Sequence, residues 1–354
     1  MSNIFERNSL FRIYIFPVTV SLILLSYVLG THPFGDFITI LILAGLELTF
    51  SFDNAIVNAK ILAKMSYFWQ QLFMTVGIII AVFGVRLLLP ILIVSIGAGL
   101  GFGEVINMSI NNPDEYYHYL ELAHPSISAF GGIFLLALFL DYIFESREIK
   151  WLAPLETRLQ KLGKLENVTV IICLSVLLFF VSQLSGQPQI QALIAGIVGL
   201  VLYLAISSLD SAISKTKHAK SIKSGSLKST AFKAGLISFL YLELIDASFS
   251  LDGVIGAFAI TNSIVLIAIG LAIGALFVRA MTIHILHKGV LGKFIYMEHG
   301  AHYAIGLLAI MMLISLTHKL PEALTGLTGI TVIIIAIIHS VIESKKSTKK
   351  KTII

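Results

Sequence analysis

The stretch GLELTFSFDNAIVNAKIL, residues 45–62, lies in a long apolar run yet carries two carboxylates, Glu47 and Asp53. Insertion scales put the cost of a charged side chain at a helix centre at about 2.5–3.5 kcal/mol, so neither group is tolerable against lipid. Either the stretch is not a membrane span, or it faces an interior that compensates its acids. The rest of the chain decides for the second.

The 354 residues are 57% hydrophobic and 13% charged, against about a quarter charged in ordinary globular domains, and mean hydropathy is +0.92. This composition predicts an all-α polytopic transmembrane bundle. Ten segments approach the roughly 20 apolar residues that cross a bilayer: 11–30, 36–60, 70–99, 126–144, 167–184, 189–208, 232–259, 262–287, 299–318 and 327–343. The first is too long for a signal-peptide core and lacks a small-residue cleavage site, so it is read as a retained span. Between the fourth and fifth, Trp151, Leu152, Leu155, Leu159 and Leu162 recur at helical spacing opposite a charged face, the pattern of an interfacial helix. The Ser- and Lys-rich loop after the sixth reads as a flexible linker. With a cytoplasmic N-terminus, all of the 25 Lys and Arg except Arg86, Arg279 and Lys319 fall on one side. The third-to-fourth loop carries Glu104, Asp114, Glu115 and Glu121 and no base. The positive-inside rule thus predicts ten spans with both termini in the cytoplasm, and the chain is expected in the plasma membrane. Placed this way, the basic excess implies no nucleic acid. Cys173, alone in an apolar run, can form no intrachain disulfide and is expected to pack.

The opening stretch has a second copy. FSFDNAI at 50–56 matches FSLDGVI at 249–255, which pairs Asp53 with Asp252 and, at the same offset of 199, Glu47 with Asp246. The span after each copy holds one arginine, Arg86 and Arg279, 193 residues apart. Three coincidences nearly in register predict an internal repeat, and the odd number of spans between the copies makes it inverted. The units are 36–144 and 232–318, preceded by the span at 11–30, joined by a connector at 145–231 and followed by a last span with a basic tail at 327–354.

The second copy, YLELIDASFSLDG, adds Glu243, making five intramembrane carboxylates. Two arginines cannot pair five acids, which argues against mere interhelical salt bridges and casts Arg86 and Arg279 as counterions. Glu243 and Asp246, three apart, share a helix face, whereas Glu47 and Asp53 would point about 120° apart on an unbroken helix. Breaks are therefore expected at Ser51–Asn54 and Ser250–Gly253, where Ser, Asp, Asn and Gly weaken a helix interior. Ser51, Asn54, Asn58 and Ser250 add neutral oxygens. Oxygen-only donors suit a hard divalent cation, Mn²⁺, Mg²⁺ or Ca²⁺.

Other polar residues read less sharply. Asp141, near the cytoplasmic end of the fourth span, suits a pathway or contact with interfacial water. His284, His287, His299 and His302, with Glu298 beside them, flank the loop between spans eight and nine; they suit interfacial and capping roles or a metal site at the mouth. GGIFLLAL and AIGLAIGAL predict close helix packing. No Gly-rich phosphate loop, zincin motif or Ser/His/Asp set is present, so neither an ATP-driven pump nor an enzyme is expected.

LELTFSFDNAI and ELIDASFSLDGVIGAFAIT, with FVRAMTI and YMEHGAHYAIGLLAIMMLI, resemble the TerC family of integral membrane proteins, within the LysE-like transporter superfamily. The resemblance covers mainly 40–99 and 235–318. It implies manganese export, with Glu47, Asp53 and Asn54 as one half-site and Glu243, Asp246 and Asp252 as the other. The leading expectation is a secondary exporter of a divalent cation, most simply Mn²⁺. A protein handing metal to membrane partners, or a small-solute exporter, is the alternative, and either could act as a homo-oligomer.

Overall fold

The computed structural model describes residues 10–219, 227–258, 260–318 and 320–352. Within these ranges the side chains at 209–219, 227–231, 233, 249, 251, 252, 255, 290, 291, 322, 323, 325, 326 and 346–352 lie outside the description, that of Asp252 among them. The order is α1 (Leu10–Thr31), α2 (Phe34–Phe50), α3 (Phe52–Ala63), α4 (Tyr67–Ile79), a π-helical segment (Ile80–Leu88), α5 (Leu89–Ala98), α6 (Phe102–Asn111), α7 (Pro113–Phe144), α8 (Ala153–Leu162), α9 (Val168–Val181), α10 (Gln187–Ala219), α11 (Leu227–Ala257), α12 (Ile264–His287), α13 (Val290–Lys293), α14 (Met297–Ser315) and α15 (Glu322–Thr352). Among the described residues there is no strand. Among the described residues, seven helices are long and apolar enough to cross a membrane, or eight if α2 and α3 count as one bent span. The chain is an all-helical, multi-pass membrane protein.

α2 and α3 meet at Ser51 with a bend of 52°. The cause is local: Asp53 Oδ1 accepts the Asn54 N–H at 2.9 Å, and Ser51 donates its hydroxyl to Glu47 Oε1 at 2.8 Å. The Asp53 carboxylate offers the Asn54 N–H an alternative to the helical ladder. The matching break expected at Ser250–Gly253 does not form, because α11 runs unbroken to Ala257. Its backbone keeps helical bonding there, and Ser248 returns its hydroxyl to the Leu244 carbonyl at 3.0 Å.

A second irregularity interrupts the third apolar segment. Pro90 has no N–H to give the carbonyl four residues back, which is that of Arg86, and the preceding two turns widen into the π-helical segment. Arg86 stands in that segment and donates Nη1 to the Ala81 carbonyl at 2.8 Å. α7 also differs from expectation. It begins at Pro113, some three turns before the apolar run at 126, because Asn112 and Pro113 make a favourable helix start. The stretch read as a linker is helical to Ala219, and the basic tail is helical to Thr352.

Lipid tails are as apolar as leucine, so packing rather than water exclusion holds such a bundle together. α7 is central, packed on α10, α14 and α11. Its Ile133, Phe134 and Leu135 are fully buried with Cys173 and Leu177 of α9 and Ala301 and Ile305 of α14. The small-residue runs act as expected. A Cβ on Gly132 would stand 2.9 Å from Leu313, and one on Gly270 would stand 2.5 Å from Leu43 of α2. Ahead of α8, Trp151 donates to His339, and Leu152, Leu155 and Leu162 remain exposed.

Candidate functional site: a buried arginine–carboxylate core

α2, α3, α11, α12 and the π-helical segment converge on one buried charged cluster. Arg86 and Arg279 and the carboxylates of Glu47, Asp53, Glu243 and Asp246 are each exposed by 6% or less. Arg86 Nη2 bonds Glu47 Oε1, the oxygen that also takes the Ser51 hydroxyl, and its Nη1 lies 3.8 Å from Asp246 Oδ2. Arg279 grips Glu243 with both nitrogens, Nη1 to Oε1 at 3.0 Å and Nη2 to Oε2 at 2.9 Å, and reaches Asp246 Oδ2 at 3.4 Å. It also donates to the Phe73 carbonyl at 2.9 Å and stacks 4.0 Å from the Phe73 ring centroid. Fork-to-carboxylate geometry of this kind is available to arginine and not to lysine.

Asp246 is the hinge of the cluster. Besides both guanidinium groups it accepts Asn54 Nδ2 at 2.7 Å, tying α3 to α11 across 192 residues of sequence. Asp53 faces elsewhere: a Cβ on Gly329 of α15 would stand 3.4 Å from its Oδ2 and 3.7 Å from Ala304 of α14. The bend thus does not bring Glu47 and Asp53 onto one arginine. Asp252 lies on α11, its side chain outside the described residues.

Two glycines make room for the charges. A Cβ on Gly77 would collide with Arg279 Nη1 and stand 2.6 Å from Glu243 Oε1, and one on Gly274 would collide with the Glu47 Cβ. Each acid is therefore seated against a glycine from the other half of the chain. Three buried oxygens in this region have no hydrogen-bond partner: Asn54 Oδ1, Asn58 Oδ1 and Ser250 Oγ. Buried polar atoms are seldom left so without a functional cause. Among the described residues, no group of three or more His, Cys, Asp or Glu is arranged to hold a metal ion. Oxygen donors fit a hard cation, but three of the four described acids are already engaged by arginine.

The remaining candidates separate. His284 Nδ1 lies 3.2 Å from the Tyr14 hydroxyl, while His299 Nε2 bonds the Ile149 carbonyl at 3.0 Å and His302 Nδ1 the Glu298 carbonyl at 2.8 Å. His287 closes α12. A tyrosine or a carbonyl thus fixes each of the rings of His284, His299 and His302, and these three form no shared ligand set. Glu298 is bound by Lys60 and Arg147. Asp141 belongs to neither place: it accepts the hydroxyls of Thr169 at 2.7 Å and Tyr203 at 2.6 Å, joining α7, α9 and α10 beside a cavity of about 390 Å³. Sequence reasoning missed Gly77, Phe73, Lys60, Arg147 and Glu156. Gly77 was findable, since it precedes Gly274 by nearly the same interval that separates the arginines. Glu156 was not. It is buried on the face read as polar, where it accepts the backbone N–H groups of Trp151 and Leu152.

Fold and site together define a multi-pass helical membrane protein built around a buried arginine–carboxylate core. The family model described as "Protein of unknown function (DUF475)" matches residues 52–347, and the chain belongs to that family. No curated protein and no solved structure matches it.

Proposed function

We propose that this protein is a secondary transporter that exports a divalent cation, most simply Mn²⁺, across the plasma membrane. It would do so by alternating access between two inverted three-helix units within ten spans, with both termini cytoplasmic. The observation that carries the proposal is the bond between Asn54 and Asp246, which joins the two sequence-related stretches inside one buried cluster of oxygen donors. A reciprocal pattern around it supports the inverted repeat. Glu47 pairs with Arg86 against Gly274, and Glu243 pairs with Arg279 against Gly77. In this pattern the partner of Glu47 is Glu243, at an offset of 196, and Asp246 is an addition within the three extra residues of the second copy.

Charge supports a divalent cargo. Five carboxylates, Asp252 among them, against two guanidinium groups leave three negative charges, which one such ion and one proton balance. Asp53, with no arginine against it, and the unpartnered oxygens of Asn54, Asn58 and Ser250 are the atoms offered to that ion. Arg86 and Arg279 hold the other acids in place and take over their charge when the site is vacated. In cells lacking the protein, the expected result is raised manganese content and raised sensitivity to manganese, restored by the intact gene and not by Asp53→Asn. Unchanged content and sensitivity count against export. Elemental analysis of the purified protein separates this function from a small-solute exporter, for which no bound divalent metal is expected.

A further inference from the structure

We propose that Lys60, Arg147 and Glu298 form a latch that closes the route to Asp53 from the end of the molecule where α3 and α7 finish and α14 begins. The latch rests on the transport reading, in which the two units part at one end at a time. Its members come from three segments: Lys60 from the last turn of α3, Arg147 from just beyond α7, and Glu298 from the first turn of α14. A single oxygen, Glu298 Oε1, takes both Lys60 Nζ and Arg147 Nη1, the latter at 2.6 Å. Both cations also sit over the ring of Tyr142, Arg147 at 3.8 Å and Lys60 at 5.3 Å from its centroid. That ring also stacks on His302 at 3.5 Å and 13°. One carboxylate thus holds two cations onto an aromatic lid; removing it frees Lys60 and leaves Arg147 with its pair to Glu145 alone.

The position gives the cluster its consequence. α3 and α14 run antiparallel, with Lys60 meeting Glu298 at one level and Asp53 lying near Ala304 about two turns deeper. Between those levels Val57 and Ala301 are fully buried small or medium residues. This seam leads from the latch to Asp53, the core acid with no arginine against it. The latch side chains are 22–32% exposed, so their ion pairs are open to water and cheap to break and re-form, unlike the buried pairs of the core. The other end of the molecule is closed differently, by Asn262 bonded to Asp114 at 2.5 Å and by Tyr117 stacked on Phe258 at 5.2 Å. Charge closes one end, and a hydrogen bond with an aromatic pair closes the other.

The test is thiol accessibility. In a Cys173→Ser background, Val57→Cys and Ala301→Cys serve as separate reporters along the seam, probed with a membrane-impermeant maleimide on the face that carries Lys60. Glu298→Gln, which removes two partly exposed ion pairs, is expected to raise the labelling rate about tenfold, and Lys60→Met, which removes one, about threefold. The charge swap Lys60→Glu with Glu298→Lys is expected to bring the rate back towards that of the parent. Unchanged rates at both reporters in both single variants overturn the latch, as do rates already fast in the parent. Manganese flux is read on the same preparations. Faster labelling with no flux in any variant keeps the latch and removes the transport reading; flux with unchanged labelling does the reverse.

Discussion

Arg279 makes the heaviest demands on its surroundings: two bonds to Glu243, one to Asp246, one to the Phe73 carbonyl and a stack on the Phe73 ring. A buried ion pair is weak evidence of net stability, but removing one partner strands the other without water. Arg279→Met is therefore expected to cost about 3–5 kcal/mol, read as a fall in thermal stability of the purified protein. Adding Glu243→Leu should recover most of that loss, and a double variant no more stable than the single would show that the two residues do not act as a unit. Gly77→Ala pushes a Cβ into this same pair and Gly274→Ala pushes one into Glu47, so each is expected to cost about 1–3 kcal/mol by overpacking. Wild-type melting of both would show that the charges do not depend on the close approach.

At the scale of elements, the two related stretches differ in a way that invites a test. The first is broken at Ser51, while the second continues as helix through Gly253. A Cβ on Gly253 would meet Glu47 Oε2 at an ordinary 3.4 Å, so Gly253→Ala should be tolerated and gain about 0.5–1 kcal/mol of helix stability. If transport requires α11 to unwind there in turn, that variant melts no lower than the parent but moves manganese more slowly. Equal flux would mean that α11 stays whole. The helical segments themselves were legible because a span of about 20 apolar residues is a local property. So was the bend at Ser51, whose cause is the side chains of residues 51–54. The early start of α7 was hidden by the polar stretch DEYYHYLELAH, which reads as loop by hydropathy although Asn112–Pro113 signals a helix start. The π-helical segment depends on Pro90 acting back on Arg86, and the engagement of three acids by arginine depends on contacts 33–39 residues or more apart. Residue types showed which acids lie inside the membrane protein, but not which of them are already neutralised.

Across the whole molecule, labour is divided between a rigid charged core and a gated approach. The core is buried and doubly braced, whereas its approach along α3 and α14 is held by partly exposed ion pairs. Asp53 lies where the two meet, and among the four described core acids it is the one with no arginine against it. The most direct measurement is radioactive manganese flux in liposomes holding only the purified protein. Saturable flux above that of protein-free liposomes is expected, lost in Asp53→Asn and in Asp252→Asn while both variants remain folded and embedded. Flux no greater than that of empty liposomes, or undiminished in both variants, would contradict manganese export through this core.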